Sequence, residues 1–223
     1  MKGNWNMLKN IKAVIFDLDG SLVDSMWMWK QIDIEYFAKY GLDMPDTLQK
    51  DIEGMSFTEV AHYFKTSFDF PVSEEEMKSE WNQMAWDKYI NEVPLKNGAD
   101  KFLTFCKENN IALGIATSNS KELVMAVCKS LGIEKYFSCI MTACEVQKGK
   151  PAPDIYLAVA KKLNVLPEQC LVFEDIIPGI MAGKNAGMKV CAVEDAYSAY
   201  QKNDKLKTAD YYINDFHEID LTL

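Results

Sequence analysis

The chain has 223 residues, of which 48% are hydrophobic and 12% aromatic. This composition excludes an intrinsically disordered protein, and the length suffices for one large core or for a core with a smaller companion. Lysine and arginine total 24 against 33 aspartate and glutamate residues, giving a formal net charge of −9. A surface this acidic disfavours nucleic acid and anionic membranes as partners, but it allows a small anionic ligand in a cleft lined by a few cations.

The N-terminal segment and the cysteines favour a reducing compartment. Residues 1–10 are polar, and the apolar run that follows them is too short for a signal peptide. No stretch approaches the ~18 apolar residues of a membrane span. The six cysteines form no Cys-x-x-Cys pair and only two histidines are present, so neither a disulfide framework nor a zinc site is expected. We expect a cytoplasmic protein that is a monomer or a weak homodimer.

The first strong signal is an apolar run that ends in two carboxylates. Residues 13–16 are apolar and predict a short strand buried on both faces. Asp17 and Asp19 are two residues apart, so in an extended backbone their side chains leave the same face, and Gly20 allows a sharp turn. Adjacent carboxylates repel each other unless a cation or a shared proton lies between them, which predicts a divalent metal. The alternative is that the two aspartates only cap the strand and hydrate a loop.

A block of helical patterns follows this strand. Residues 26–40 carry an apolar helical stripe that Gly41 ends. Residues 56–59 and 73–76 are Ser-x-x-Glu capping boxes, so each should begin a helix, the second extending to about Asn91. We therefore expect a small all-helical module inserted after the first strand.

The remainder of the chain alternates between helix and strand. We expect strands near residues 111–116, 137–141, 170–173, 188–193 and 211–213, with helices over 98–108, 121–131, 154–163 and after Pro178. This order predicts an α/β fold, a Rossmann-like doubly wound parallel sheet with helices on both faces. The predicted division is an α/β core of residues 1–24 and 94–223 and a helical domain of residues 25–93.

Polar side chains follow the expected strands or lie in a loop on the same side of the sheet. They are Asp17, Asp19, Thr117, Ser118, Asn119, Lys150, Glu174 and Asp175. Ligands of open α/β sheets bind beyond the carboxyl ends of the strands, so these residues should share one crevice. Taken singly, each has a structural alternative: Thr117 or Asn119 as a helix N-cap, Lys150 as a solvated lysine, and the acidic pair as a cap for the helix near Pro178.

In order and spacing these motifs resemble those of the haloacid dehalogenase superfamily of phosphotransferases, over nearly the whole chain. The motifs are Asp17-Leu-Asp19-Gly20, the strand-ending Thr117, Lys150-Pro151 and Glu174-Asp175. Their flanking residues resemble the subgroup that contains β-phosphoglucomutase and phosphoglycolate phosphatase. The resemblance implies that Asp17 attacks phosphorus to form an aspartyl-phosphate, and that Asp19 acts as general acid and then as general base. It also implies that Lys150 neutralises charge between the nucleophile and the phosphoryl group.

The resemblance further implies a Mg²⁺ cofactor. Its ligands would be the Asp17 carboxylate, the Asp19 backbone carbonyl and Asp175, with Glu174 as a direct or water-mediated partner. Phosphate oxygens would be held by Lys150, by the Thr117 hydroxyl and by the backbone N–H groups of Ser118 and Asn119. An aspartate at position 19 favours phosphate esters as substrates, since haloacid dehalogenases and phosphonoacetaldehyde hydrolases lack it.

The helical insertion has the place of a cap that covers the active site, and here the chain departs from β-phosphoglucomutase. Trp29 stands where that enzyme has a cap histidine, and Glu53 and Phe57 stand where it has a lysine and an arginine around a Gly-x-Ser turn. A mutase needs cations to hold the second phosphate of a bisphosphate, so this cap favours hydrolysis. Trp27 or Trp29, with Asp33, Glu53 and Phe57, would shape a pocket for an uncharged or aromatic leaving group, although tryptophans at helical spacing are more often core residues.

The sequence thus predicts a Mg²⁺-dependent phosphatase of a small phosphorylated metabolite such as a sugar or nucleoside phosphate. A phosphosugar mutase is the first alternative. A non-catalytic protein that binds phosphorylated ligands is the second, and it is disfavoured because phosphate binding alone does not require Asp17.

Overall fold

The computed structural model describes residues 7–222 and has a six-stranded parallel sheet at its centre. The strands are β1 (Ala13–Phe16), β2 (Ala112–Thr117), β3 (Cys139–Thr142), β4 (Cys170–Glu174), β5 (Lys189–Val193) and β6 (Tyr211–Ile213). Their order across the sheet is β3-β2-β1-β4-β5-β6, so the strand order reverses beside β1. The predicted α/β class and doubly wound parallel sheet are confirmed.

The described residues contain nine α-helices. They are α1 (Met26–Lys39), α2 (Leu48–Asp51), α3 (Phe57–Ser67), α4 (Glu74–Asn91), α5 (Ala99–Glu108), α6 (Lys121–Ser130), α7 (Asp154–Leu163), α8 (Ile177–Asn185) and α9 (Lys202–Thr208). Short 3₁₀ segments lie at Glu134–Tyr136, Ala143–Glu145, Pro167–Gln169, Ala196–Gln201 and Phe216–Glu218. The sequence did not predict α2 and α9, because four and seven residues carry too little helical periodicity.

The first strand is buried on both faces, as its apolar run predicted. Val14 and Phe16 face one hydrophobic core, and Ala13 and Ile15 face the other. Phe16 stacks on Phe173 of β4 with the ring centroids 5.3 Å apart. Because both faces of β1 are packed in this way, the end of the strand, which Asp17 follows, is firmly positioned.

The helices before α5 share an aromatic core, which is continuous with the hydrophobic core on the Phe16 face of the sheet. Phe64 lies at its centre, with ring centroids 5.3 Å from Phe37, 5.6 Å from Phe70 and 5.2 Å from Trp81. Both predicted capping boxes form, at Ser56 for α3 and at Ser73 for α4. Edge-to-face and stacked aromatic pairs, together with satisfied helix N-termini, therefore stabilise the arrangement of residues 26–91.

The chain enters and leaves this helical region through two adjacent segments. The Asp24 N–H donates to the Pro94 carbonyl at 2.9 Å, and the Lys96 N–H donates to the Leu22 carbonyl at 2.9 Å. Paired crossings of this kind suit a domain boundary at residues 24–25 and 93–94. That boundary stays a prediction.

All six cysteines are free thiols, and five of them are buried. Cys144, after β3, is the exposed one. Among residues 7–222, no helix combines the length and the apolar character that crossing a membrane requires.

The aromatic core predicts a measurable stability effect. Phe64→Ala should lower the free energy of unfolding by about 3–5 kcal/mol, because it leaves a cavity among five aromatic neighbours, whereas Phe64→Leu should lower it by less. Urea denaturation followed by circular dichroism measures both variants. A loss below about 1 kcal/mol for the alanine variant would contradict the central place of this ring.

Candidate active site

The structure brings three of the predicted acidic residues together at the carboxyl edge of the sheet. Phe16 of β1 pairs with Phe173 of β4, so Asp17, which follows β1, lies beside Glu174 and Asp175 at the end of β4. One carboxylate oxygen from each of the three lies within 4.8 Å of the others, and all three residues are buried. The alternative that Asp17 only hydrates a loop is wrong. The acidic pair does not cap α8 either, since no side chain caps that helix.

Lys150 lies inside this cluster. Its Nζ donates to Asp17 Oδ1 at 2.6 Å and to Glu174 Oε1 at 2.5 Å. Burial alone would lower the pKa of Lys150, but the charges of Asp17 and Glu174 outweigh burial and raise it, so the ammonium stays protonated. Tyr156 of α7 donates from its hydroxyl to the same Glu174 oxygen at 2.6 Å. The alternative of a solvated lysine is therefore wrong.

The cluster carries more negative charge than Lys150 can balance. Burial raises the pKa of Asp17 to about 7, while Lys150 opposes the shift. Burial, followed by repulsion from Glu174 and Asp17, raises the pKa of Asp175 well above its usual range. A divalent cation would relieve this repulsion, and a donor set made only of carboxylate oxygens suits a hard cation. The residues present therefore fit a divalent metal.

Glu174 differs from the other two acids because both of its oxygens are already engaged. Oε1 accepts hydrogen bonds from Lys150 and Tyr156, and Oε2 accepts one from the Asp175 N–H at 3.1 Å. In this structure Glu174 positions Lys150. Its predicted role as a metal ligand stays a prediction.

Two glycines lie so close to the acidic cluster that a side chain on either would overlap a carboxylate. A Cβ on Gly20, which has φ +82°, would lie 2.4 Å from Asp175 Oδ2. A Cβ on Gly179 would lie 1.9 Å from Glu174 Oε1. Any side chain at either position would push a carboxylate out of the cluster.

Asp19 lies apart from the cluster and connects the sheet to the helical region. Its Oδ1 accepts hydrogen bonds from the Ser25 hydroxyl at 2.5 Å and from the Tyr89 hydroxyl, and its Oδ2 accepts one from Asn119 Nδ2 at 2.8 Å. Trp29 Nε1 donates to the Tyr89 oxygen at 3.0 Å. Tyr89 was not identified from the sequence, because it shares one face of α4 with the apolar residues Trp81 and Ala85. The one available signal was a hydroxyl on that otherwise apolar face.

In the loop after β2, the helix N-cap and the hydrogen bonding of one backbone N–H differ from the prediction. Ser120, rather than Thr117 or Asn119, is the N-cap of α6, so that alternative is wrong. The Asn119 N–H donates to Thr117 Oγ1 at 3.1 Å, which engages a donor predicted for phosphate. The Thr117 hydroxyl keeps its own proton for donation. The Ser118 carbonyl accepts a hydrogen bond from the Phe57 N–H of α3 at 2.8 Å.

A cavity of about 390 Å³ opens above these residues. The predicted specificity residues Trp29, Asp33, Glu53 and Phe57 line it, together with Asp17, Asp19, Thr117, Ser118, Asn119, Lys150 and Asp175. Trp27 is not among the lining residues. Its indole N–H donates to the Asp24 carbonyl at 3.0 Å, so the suggestion that Trp27 shapes the pocket is wrong.

Comparison with known proteins agrees with this geometry. The family model for haloacid dehalogenase-like hydrolases matches residues 14–193. A bifunctional riboflavin kinase/FMN phosphatase from Arabidopsis thaliana is 32% identical over 97% of this chain, which spans 56% of that longer protein. A phosphorylated carbohydrates phosphatase from Thermotoga maritima is 32% identical over 80% of this chain and 83% of its own length.

A solved structure also matches nearly the whole chain. A β-phosphoglucomutase from Clostridium difficile superposes with a TM-score of 0.78 at 27% identity, covering 94% of this chain and 93% of that one. The predicted superfamily is thereby confirmed, and the phosphatases among the relatives support the predicted enzyme class, a phosphoric monoester hydrolase. The chain belongs to the haloacid dehalogenase-like hydrolases.

Proposed function

We propose that this protein is a Mg²⁺-dependent phosphatase that hydrolyses a small phosphate monoester through an aspartyl-phosphate on Asp17. The observation that carries the proposal is the buried cluster at the ends of β1 and β4. There, Lys150 Nζ lies 2.6 Å from Asp17 Oδ1, and Glu174 and Asp175 supply two further carboxylates. A protein that only binds phosphate would gain nothing from such a concentration of negative charge.

Phosphoryl transfer needs a nucleophile in line with the leaving oxygen and positive charge around the equatorial oxygens. Asp17 attacks phosphorus, and the bond from phosphorus to the leaving oxygen breaks. We expect Lys150 and the Thr117 hydroxyl, which keeps its own proton for donation, to bind phosphate oxygens. Water then hydrolyses the aspartyl-phosphate, which splits one slow reaction into two faster ones.

Asp19 handles the protons in both steps. It protonates the leaving alcohol in the first step and takes a proton from the attacking water in the second. Hydrogen bonds from Ser25, Tyr89 and Asn119 hold its carboxylate at the boundary between the sheet and the helical region. The geometry therefore supports Asp19 as acid and base and Asp17 as nucleophile.

The metal site proposed here uses the carboxylates of Asp17 and Asp175 and the Asp19 backbone carbonyl. A Mg²⁺ ion held by these groups would supply positive charge that stabilises the phosphoryl oxygens during transfer. Ser21 donates to Asp175 Oδ1 at 3.1 Å and so orients this side chain. A Glu174 carboxylate already held by Lys150 and Tyr156 is the weaker candidate ligand.

The helical region, residues 25–93, is proposed to be a cap domain that selects the leaving group, and residues 1–24 and 94–223 to be the catalytic core. The cavity wall contributed by this region contains Asp33, Glu53 and the aromatic rings of Trp29 and Phe57. Such a wall suits an uncharged leaving group. The Thermotoga relative is named a phosphatase of phosphorylated carbohydrates, which also supports an uncharged leaving group.

A phosphosugar mutase is the second candidate, because a β-phosphoglucomutase shares the fold over nearly the whole chain. Hydrolysis is favoured because Glu53 and Phe57 replace the cations that a second phosphate would need. Turnover of β-glucose 1-phosphate only in the presence of a bisphosphate activator would decide for the mutase.

Asp17→Asn should abolish hydrolysis of both p-nitrophenyl phosphate and acetyl phosphate, because an amide is not a nucleophile for phosphorus. The thermal unfolding midpoint should stay close to that of the wild type or rise, since the substitution removes one buried negative charge. Asp100→Asn, an exposed change on α5, is the matched control and should keep full activity. Unchanged turnover in the Asp17 variant would refute the nucleophile assignment.

Asp19→Ala should reduce turnover of alkyl phosphates by about 10²–10⁴-fold, the usual contribution of a positioned acid and base. Acetyl phosphate should lose far less in the phosphoryl transfer step, since acetate leaves without protonation. Single-turnover kinetics on both substrates separate this step from hydrolysis of the intermediate. Equal losses on the two substrates would contradict the role of Asp19 as the acid.

Removal of the metal should abolish activity. Treatment with EDTA is expected to stop hydrolysis of p-nitrophenyl phosphate, and added Mg²⁺ should restore it. Mg²⁺ should also raise the unfolding temperature of the wild type, because binding to the folded state stabilises it, and should do so less for Asp175→Asn. Full activity in excess EDTA would exclude the proposed metal.

A further inference from the structure

The helical wall of the cavity contains a buried carboxylate with spare hydrogen-bonding capacity. Asp33 of α1 lines the cavity and is 8% exposed. Its Oδ2 accepts a hydrogen bond from Gln49 Nε2 at 2.6 Å. Within residues 7–222, Gln49 is the one group that donates a hydrogen bond to the Asp33 carboxylate.

A single donor does not satisfy an ionised carboxylate, whose two oxygens offer about four acceptor positions. Burial raises the pKa of Asp33 to about 6, and the Gln49 hydrogen bond only partly opposes the shift. A ligand hydroxyl or N–H that enters the cavity would therefore find an acceptor that the protein has left free.

The other charged groups of this wall differ from Asp33. Glu53 Oε1 accepts two hydrogen bonds, from the Tyr200 hydroxyl at 3.1 Å and from Gln201 Nε2, whereas the Asp33 carboxylate accepts one in total. Lys30 and Lys50 also line the cavity, but both are exposed to solvent. Among the described lining residues the buried cation is Lys150, which Asp17 and Glu174 hold. The interior of the wall therefore offers acceptors and negative charge.

We propose that Asp33 accepts a hydrogen bond from a hydroxyl of an uncharged leaving group, and so selects polyhydroxylated phosphate monoesters over those that carry a second anionic group. A second anion would face the carboxylates of Asp33 and Glu53 with no buried cation to pair with. This inference rests on the proposed function, because it assigns the leaving group of that same reaction.

Two substrates with the same carbon chain test the proposal on the wild type. Sorbitol 6-phosphate and 6-phosphogluconate differ at the carbon farthest from the phosphate, which carries a hydroxymethyl group in the first and a carboxylate in the second. Uridine 5′-monophosphate, whose leaving group is an uncharged ribonucleoside, is the third substrate. We expect kcat/KM for sorbitol 6-phosphate or for uridine 5′-monophosphate to exceed that for 6-phosphogluconate by about tenfold or more. The preferred one of these two neutral substrates shows whether Asp33 contacts a hydroxyl of a sugar alcohol or of a ribonucleoside. Equal or faster hydrolysis of 6-phosphogluconate overturns the proposal.

Asp33→Asn tests the residue itself. The amide keeps the shape of the side chain and its bond to Gln49, but it loses the charge that strengthens a hydroxyl contact and repels an anion. The preference for the neutral substrate over 6-phosphogluconate should fall by about tenfold, mainly through KM. Asp43→Asn makes the same change of charge at an exposed position outside the cavity, and should leave the preference as in the wild type. An unchanged preference in a folded Asp33 variant overturns the proposal. If the variant does not fold, the comparison of neutral substrates with 6-phosphogluconate on the wild type decides.

Failure of this inference is distinguishable from failure of the proposed function. If the wild type with Mg²⁺ hydrolyses neither p-nitrophenyl phosphate nor acetyl phosphate, the phosphatase proposal is lost. If it hydrolyses these two but none of the three metabolites, or shows no preference among them, only the assignment to Asp33 is lost.

Discussion

The adjacency of β1 and β4 is the constraint on which the rest of the structure depends. The pairing of Phe16 with Phe173 brings Asp17 next to Glu174 and Asp175, although more than 150 residues separate the two strands in the sequence. Three buried carboxylates at this distance repel one another, and Lys150 balances only part of their charge. A cluster of this kind costs stability unless a cation is present, which is why it indicates chemistry rather than architecture.

Much of the surrounding structure serves to keep these charges in place. Gly20 and Gly179 lack the side chains that would occupy the carboxylate positions. Tyr156 donates to Glu174, and Ser21 donates to Asp175, so a neutral group orients each of these two acids. The strand ends themselves are rigid because the sheet is packed on both faces. The proposed nucleophile thus needs little reorganisation before it reacts, which is the main way a protein accelerates phosphoryl transfer.

Polar contacts join the helical region to the loops at this edge of the sheet. Tyr89 of α4 donates to Asp19, and the Phe57 N–H donates to the Ser118 carbonyl. Glu53 is held from the other side of the cavity by Tyr200 and Gln201. The sheet therefore supplies the groups proposed for the chemistry, and the helices supply the wall that a leaving group would contact. This division allows substrate preference to change without altering the acidic cluster.

Local sequence determined most of the secondary structure, because its signals lie within a few residues of one another. The apolar run of β1, the capping boxes at Ser56 and Ser73 and the alternation of helices and strands all predict the observed elements, and the motif order pointed to the acids at one sheet edge. Tertiary structure alone decided the contact of Tyr89 with Asp19 across 70 residues and that of Gln201 with Glu53 across 148. It also decided that Trp29 and not Trp27 lines the cavity, and that Asp33 is left with one partner. The physical reason is that these contacts depend on how helices pack against the sheet, and helical periodicity identifies an apolar face without saying which polar atoms will meet across it.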